Sequence, residues 1–152
     1  MRFLNIWLLI LACSSLSNAA TIRKEIHINV ESAAVWDAVR DFDHVDKRLA
    51  PGFVVNVQAE GGGRYLTFAN GARARELLVS VDDNLRRLVY AIPDGSFKTY
   101  SASLQVFTEG KRRCLLVWIV DLLPDSLESY INTQMDSAAK IMKDTLEKAS
   151  RK

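Results

Sequence analysis

The sequence predicts an α+β fold with seven antiparallel β-strands, two short helices after the first strand and one long C-terminal helix. Three observations predict it. Turn-forming clusters recur at short intervals through the middle of the chain: Gly61-Gly62-Gly63, Asn70-Gly71, Asp82-Asp83-Asn84, Asp94-Gly95 and Glu109-Gly110. The runs between them are rich in β-branched and aromatic residues, as strands require. Beyond Pro124 the apolar residues step by three or four, the period of a helix with one buried face.

Each element follows in order. Residues 21–30 alternate Ile22, Ile26, Ile28 and Val30 against polar neighbours and read as the first strand. Glu31 or Ser32 can cap a helix in which Val35, Trp36 and Val39 share a face, and a second short helix near 43–49 is stopped by Pro51 and Gly52. Strands are then expected over 53–59, 64–69, 73–81, 86–92, 98–107 and 113–121. After Pro124, Asp125 or Ser126 can cap the long helix. Its apolar positions are Leu127, Tyr130, Ile131, Met135, Ala138, Ile141, Met142 and Leu146, and Glu128, Lys140, Lys143, Asp144 and Lys148 lie elsewhere on its surface. Such a helix reaches about 35 Å, enough to cross a sheet and cover its apolar face.

The 152 residues are 49% hydrophobic and 25% charged, which excludes a disordered chain, a collagen-like fibre and a multi-span membrane protein. Lys and Arg number 20 against 18 Asp and Glu, and no run of five basic residues occurs, so nucleic acid is not an expected partner.

Residues 1–19 read as a secretory signal peptide. Arg2 opens it, 3–12 is apolar apart from Asn5, and 14–20 is small and polar. The apolar run is too short to span a bilayer, so no integral span is expected. Ser17 and Ala19 place cleavage after Ala19, leaving a single domain at 20–152 in the periplasm or secreted. A second reading takes Ile10-Leu11-Ala12-Cys13 as a lipobox and anchors a lipoprotein at Cys13. Cleavage after Ala19 leaves Cys114 alone, so no intrachain disulfide is expected and stability rests on the core.

Several residues together carry a family resemblance. They are Trp36, Asp41-Phe42, Pro51, Gly63-Arg64, Gly71, Arg75-Glu76-Leu77, Asp82, Tyr90, Tyr100 and Trp118. With the order of elements, they resemble the polyketide cyclase/dehydrase and lipid-transport family of the START-like, or SRPBCC, superfamily. The resemblance implies a helix-grip fold, a curved sheet wrapped around the long helix with a cavity between them for lipids, sterols, polyketides or other apolar and aromatic molecules. It does not imply catalysis, because carriers, sensors and enzymes share that fold.

Alternation along the strands indicates which side chains face the helix. Tyr100, Ala102, Leu104 and Val106 share one face, as do Cys114, Leu116, Trp118 and Val120, and as do Leu88, Tyr90 and Ile92. Tyr90, Tyr100 and Trp118 read either as plain core or as cavity lining, since each carries a polar group that needs a partner when buried. If the Asn70-Gly71 hairpin has a three-residue loop, Arg64, Leu66 and Phe68 share a face with Ala74, Glu76 and Leu78, and Arg64 and Glu76 sit diagonally across neighbouring strands. A two-residue loop would separate them. The pair is then either a solvent-facing ion pair or a polar anchor in an apolar cavity. The expected ligand-binding set is Arg64, Leu66, Phe68, Glu76, Tyr90, Tyr100, Trp118, Ile131 and Met135.

The first expectation for function is an exported, non-enzymatic protein that binds a lipid-like, polyketide-like or aromatic apolar molecule, as a monomer or weak dimer. The Pro51 and Asp94-Gly95 loops and the long helix would form the entrance. A second is a cyclase or dehydratase in which Glu76 acts as general base and Tyr90 or Tyr100 donates to the developing enolate. A third is an envelope interaction module whose cavity is filled. No cofactor or metal is expected. His44 within Asp41-Phe42-Asp43-His44-Val45-Asp46 fits no closed zinc spacing, His27 reads as solvated, and Cys114 as a small core residue. Gly61-Gly62-Gly63 joins two strands and opens no helix, so a hairpin accounts for it better than phosphate binding.

Overall fold

A computed structural model describes residues 18–151; the apolar run 3–12 and Cys13 lie outside the described residues. The chain forms β1 (Ala20–Ile28), α1 (Ser32–Arg40), a 3-10 turn (Phe42–His44), α2 (Val45–Arg48), and then β2 (Val54–Glu60), β3 (Gly63–Phe68), β4 (Arg73–Asp82) and β5 (Arg87–Ala91). After β6 (Thr99–Gly110) and β7 (Arg113–Leu123), a second 3-10 turn (Asp125–Leu127) leads into α3 (Glu128–Ala149). All seven strands belong to one antiparallel sheet ordered β1-β7-β6-β5-β4-β3-β2. Strands β2 to β7 are thus a meander, and β1 closes on the last of them. No helix among the described residues is long and apolar enough to cross a membrane.

Alternation decides which face is inside. Ile22, Ile26 and Ile28 of β1, Tyr100, Ala102, Leu104 and Val106 of β6, and Cys114, Leu116, Trp118 and Val120 of β7 are all buried on the helix side. Register breaks at Val54/Asn56, Leu78/Ser80 and Thr108/Gly110 interrupt the ladders, and bulges of this kind bend a sheet. On α3 the buried stripe is Ile131, Met135, Ala138, Met142 and Leu146. This stripe is narrower than the sequence pattern suggested: Tyr130 is half-exposed, and Leu127 belongs to the 3-10 turn before the helix.

The expected caps are not made. Glu31 occupies the first cap position without a side-chain bond, and the Ser32 hydroxyl is engaged elsewhere, 2.8 Å from the Thr108 hydroxyl and 2.5 Å from Arg86 Nη1. Asp125 and Ser126 sit inside the 3-10 turn, and Leu127 caps α3 without a side-chain bond. Other groups fix α3 in place. Lys24 lies in phase with the isoleucines of β1 and reaches the helix, where its Nζ donates to Asn132 Oδ1 at 2.7 Å and to Asp136 Oδ1. Glu147 accepts from the Asn29 backbone N–H at 2.9 Å, and Lys143 donates to the His27 carbonyl. The His27 ring is exposed, as expected of a solvated residue, with Nδ1 3.0 Å from Glu109 Oε2. Cys114 is a free, fully buried thiol, and burial pushes it up to about 11.

The β2–β3 hairpin turns through Gly62 at φ +79°, and the next glycine is needed for a different reason. A Cβ on Gly63 would lie 2.7 Å from the Glu76 carbonyl oxygen and 3.0 Å from Leu77 Cδ2, so only glycine lets β3 approach β4 here. Gly63→Ala is therefore expected to lower stability by about 1–3 kcal/mol, as overpacking does. Gly61→Ala, with nothing within 4 Å of its added methyl, is expected to stay within about 0.5 kcal/mol. Urea unfolding of the two variants checks the difference; equal midpoints would show that β3 can yield at this point.

Candidate functional site

The site begins with a turn. Phe68 N donates to the Ala72 carbonyl at 2.9 Å and Gly71 N to the Phe68 carbonyl at 2.9 Å, so the β3–β4 loop is the three residues Ala69, Asn70 and Gly71. Gly71 takes φ +85° and Asn70 Oδ1 accepts from Ala72 N at 3.0 Å, the chemistry of a hairpin with one left-handed residue. Closing on Phe68 and Ala72 puts Leu66 opposite Ala74 and Arg64 directly opposite Glu76. The expected diagonal relation is corrected to a direct pair, because the three-residue loop closes on Phe68 and Ala72 and every second residue outward from them then lies opposite its partner on the same face.

The pair is buried. Arg64 is 6% and Glu76 5% exposed, so it is no solvent-facing ion pair. Arg64 Nε and Nη2 donate to the same oxygen, Glu76 Oε2, at 2.8 and 2.6 Å, while Nη1 donates to the Phe42 carbonyl. The guanidinium also lies 3.7 Å from the centroid of the Phe42 ring, within cation–π distance. One side chain of β3 therefore ties β4 to the 3-10 turn that precedes α2. Burial pushes the Glu76 carboxyl above its ordinary range, and the Arg64 charge and hydrogen bonds pull it back.

This pair forms one wall of a partly open cavity of about 190 Å³ between the sheet, the two short helices and α3. All nine residues of the expected ligand-binding set line it: Arg64, Leu66 and Phe68 from β3, Glu76 from β4, Tyr90 from β5, Tyr100 from β6, Trp118 from β7, and Ile131 and Met135 from α3. Others were missed from sequence. Phe42 follows Asp41 in the short helical hairpin, Phe53 and Phe97 come from the loops beyond Pro51 and Gly95, and Tyr130 and Gln134 stand one turn apart on α3. The signal for the last two was the helical period, which placed Tyr130 within the apolar stripe; the helix rotation puts it at the stripe's edge instead.

Aromatic contacts make the wall continuous. Phe53 meets Phe68 edge-on with ring centroids 5.5 Å apart, and Phe97 lies 4.8 Å from Tyr100. Tyr90 lies 6.4 Å from Phe42 and 6.5 Å from Tyr100. Burial, with the neighbouring Tyr100 and Glu76, holds the Tyr90 hydroxyl well above its usual range; burial first and Glu76 second do the same for Tyr100. Both therefore present neutral hydroxyls able to donate. Among the described residues the buried indole N–H of Trp118 makes no hydrogen bond of good geometry.

At the cavity's edge, where Asp41 joins the lining, His44 Nδ1 lies 2.7 Å from Asp41 Oδ1, and Arg48 binds Asp41 and Asp37. These contacts account for the Asp41–Asp46 cluster as a stapled surface hairpin; among the described residues no three His, Cys, Asp or Glu side chains are grouped to hold a metal.

With the geometry in view, residues 19–150 match the model of the family described as polyketide cyclase / dehydrase and lipid transport. No functionally curated protein matches the chain in sequence. Among solved structures, an uncharacterised protein from Bacillus thuringiensis superposes with a TM-score of 0.76 at 16% identity, over 84% of this chain and 98% of that one. Norcoclaurine synthase from Thalictrum flavum, in complex with dopamine and hydroxybenzaldehyde, gives 0.69 at 17% identity, covering 99% and 96% of the two chains. The di-domain ARO/CYC protein BexL of the BE-7585A biosynthetic pathway gives 0.73 at 14% identity, over 84% of this chain and 46% of that one. At these identities the likeness is one of fold, the helix-grip fold with its sheet around a long C-terminal helix.

Removing Arg64 alone strands the Glu76 charge, whereas removing both leaves apolar wall. Arg64→Met is expected to destabilise by about 3–5 kcal/mol, and Arg64→Met/Glu76→Leu by much less or not at all. A double-mutant cycle by denaturant unfolding measures this coupling; a double variant as unstable as the sum of the singles would contradict it.

Proposed function

Since the chain belongs to the polyketide cyclase/dehydrase and lipid-transport family, we propose that it is a small-molecule-binding protein holding one lipid-like, polyketide-like or aromatic apolar ligand between the sheet and α3. The observation that carries this reading is the cavity itself: an apolar, aromatic lining with a few convergent polar groups at one wall, the usual make-up of a ligand site. The aromatic molecules bound by norcoclaurine synthase support an aromatic ligand in this fold. An interaction module would need side chains to fill the space, and the cavity of about 190 Å³ weighs against that role.

Export belongs to the same reading. The segment 1–19 is a signal peptide cleaved after Ala19, with anchoring at Cys13 as its rival. The first strand begins at Ala20, just beyond that cleavage point. Cleavage removes the backbone bond from Asp125 N to the Asn18 carbonyl and no strand pairing. Intact-mass measurement of the envelope fraction is expected to give a chain starting at Ala20; a diacylglyceryl mass on Cys13 would establish the lipoprotein instead.

A second reading, catalysis, is favoured by one observation: a buried carboxylate faces the same cavity as two neutral tyrosine hydroxyls. In it, Glu76 takes a proton from an acidic C–H of the substrate, and Tyr90 or Tyr100 donates a hydrogen bond to the enolate oxygen. Turnover would then fall at least about a hundredfold in Glu76→Gln, the scale of a general base.

Native mass spectrometry of protein purified from its own cells, followed by organic extraction, tests the binding reading. One apolar molecule per chain, released unchanged, is expected. An empty protein that takes up nothing from a panel of fatty acids and substituted aromatics would overturn it, and a chemically altered molecule would favour catalysis.

A further inference from the structure

The polar wall of the cavity has an asymmetry. Both Glu76-directed donors of Arg64 converge on Oε2, and among the described residues no group donates to Oε1. Arg64 spends three of its five N–H donors inside the wall, Nε and Nη2 on the carboxylate and Nη1 on the Phe42 carbonyl, and lays one face against the Phe42 ring. The guanidinium charge is therefore matched within the wall, and a carboxylate brought alongside would meet the Glu76 carboxylate and a cation whose charge is already paired. What the wall offers is a carboxyl oxygen, held by the Arg64 pair and without a donor, and hydrogen bonds to a carboxylate are the stronger ones.

Volume sets the second limit. A dry cavity of about 150 Å³ admits benzene. At about 190 Å³, this one holds a single ring with a short substituent or a compact fused pair within its walls, and not a whole phospholipid or sterol.

Resting on the ligand-binding reading above, we propose that the cavity selects neutral ligands of one or two rings that carry a hydroxyl donor, bound through Glu76 Oε1, and that it discriminates against carboxylates. Glu76 is thus a specificity-determining residue held in place by Arg64. The cationic Arg73 stands exposed at the rim and contributes no counter-ion at this wall.

Titration calorimetry at neutral pH with 4-ethylphenol, its near-isostere 4-ethyltoluene and 4-ethylbenzoate tests this. In the native protein the phenol is expected to bind at least as tightly as the toluene despite the loss of hydroxyl hydration, and the benzoate not to bind. In Arg64→Met/Glu76→Leu, which keeps an apolar wall, the phenol-to-toluene affinity ratio is expected to fall about tenfold or more, the scale of a hydrogen bond to a charged group. In Glu76→Gln the unmatched Arg64 is expected to bring benzoate binding within measurable range. A ratio unchanged in the double variant, or benzoate bound as well as the phenol by the native protein, overturns the proposed selectivity while leaving ligand binding intact. Failure of all three probes to bind the native protein overturns the ligand-binding reading and the selectivity together.

Discussion

A buried ion pair constrains this structure at three points at once. Arg64 and Glu76 face each other across β3 and β4, so a slip of one residue in that hairpin would turn one charge outward and leave the other buried without its partner. The same guanidinium holds the Phe42 carbonyl and ring, which fixes the short helical hairpin over the mouth of the sheet. Taking two charges from water is unfavourable, and two leucines would suit the stability of the fold as well or better. What leucines would not supply is direction: one register, one position for the Phe42 turn and one polar patch in an otherwise apolar wall.

The cavity exists because α3 is held to one side. Its firmest links run to β1 and the residue after it, through Lys24, Asn29 and the His27 carbonyl. The strands at the far side, β3 to β5, curve away through the bulge at Leu78/Ser80 and bring large side chains to line the gap without filling it. Helix and sheet thus touch along a seam and part elsewhere. Covering the sheet and leaving room beneath the cover are met by the same arrangement.

Much of this was legible in the sequence, for physical reasons. Turn chemistry is local, so Asn70-Gly71 and Gly61-Gly62-Gly63 marked their hairpins, and the seven strands differ from expectation by only a few residues at their ends. Period two and period 3.6 located the inner faces, which is why the lining residues of β3 and β5 to β7 could be named from spacing. The failures were non-local. Lys24 occupies an apolar phase because Asn132 and Asp136 come to meet it from across the chain. The Ser32 hydroxyl leaves its cap for Thr108 and Arg86, partners that no window around residue 32 contains. Whether Arg64 and Glu76 were in or out hung on a single residue of loop length, Phe42 and Phe97 sit in segments with no period to read, and Phe53 falls just before β2, which begins at Val54.

The strand order carries a consequence in time. Strands β2 to β7 each find their next partner a few residues further along, whereas β1 pairs only with β7, so Ile22 and Ile26 stay unpartnered until the chain near residue 120 has been made. Closing so long a loop is slow compared with forming a hairpin. During synthesis, therefore, the first strand is the last to be enclosed, and the sheet is completed where the chain began.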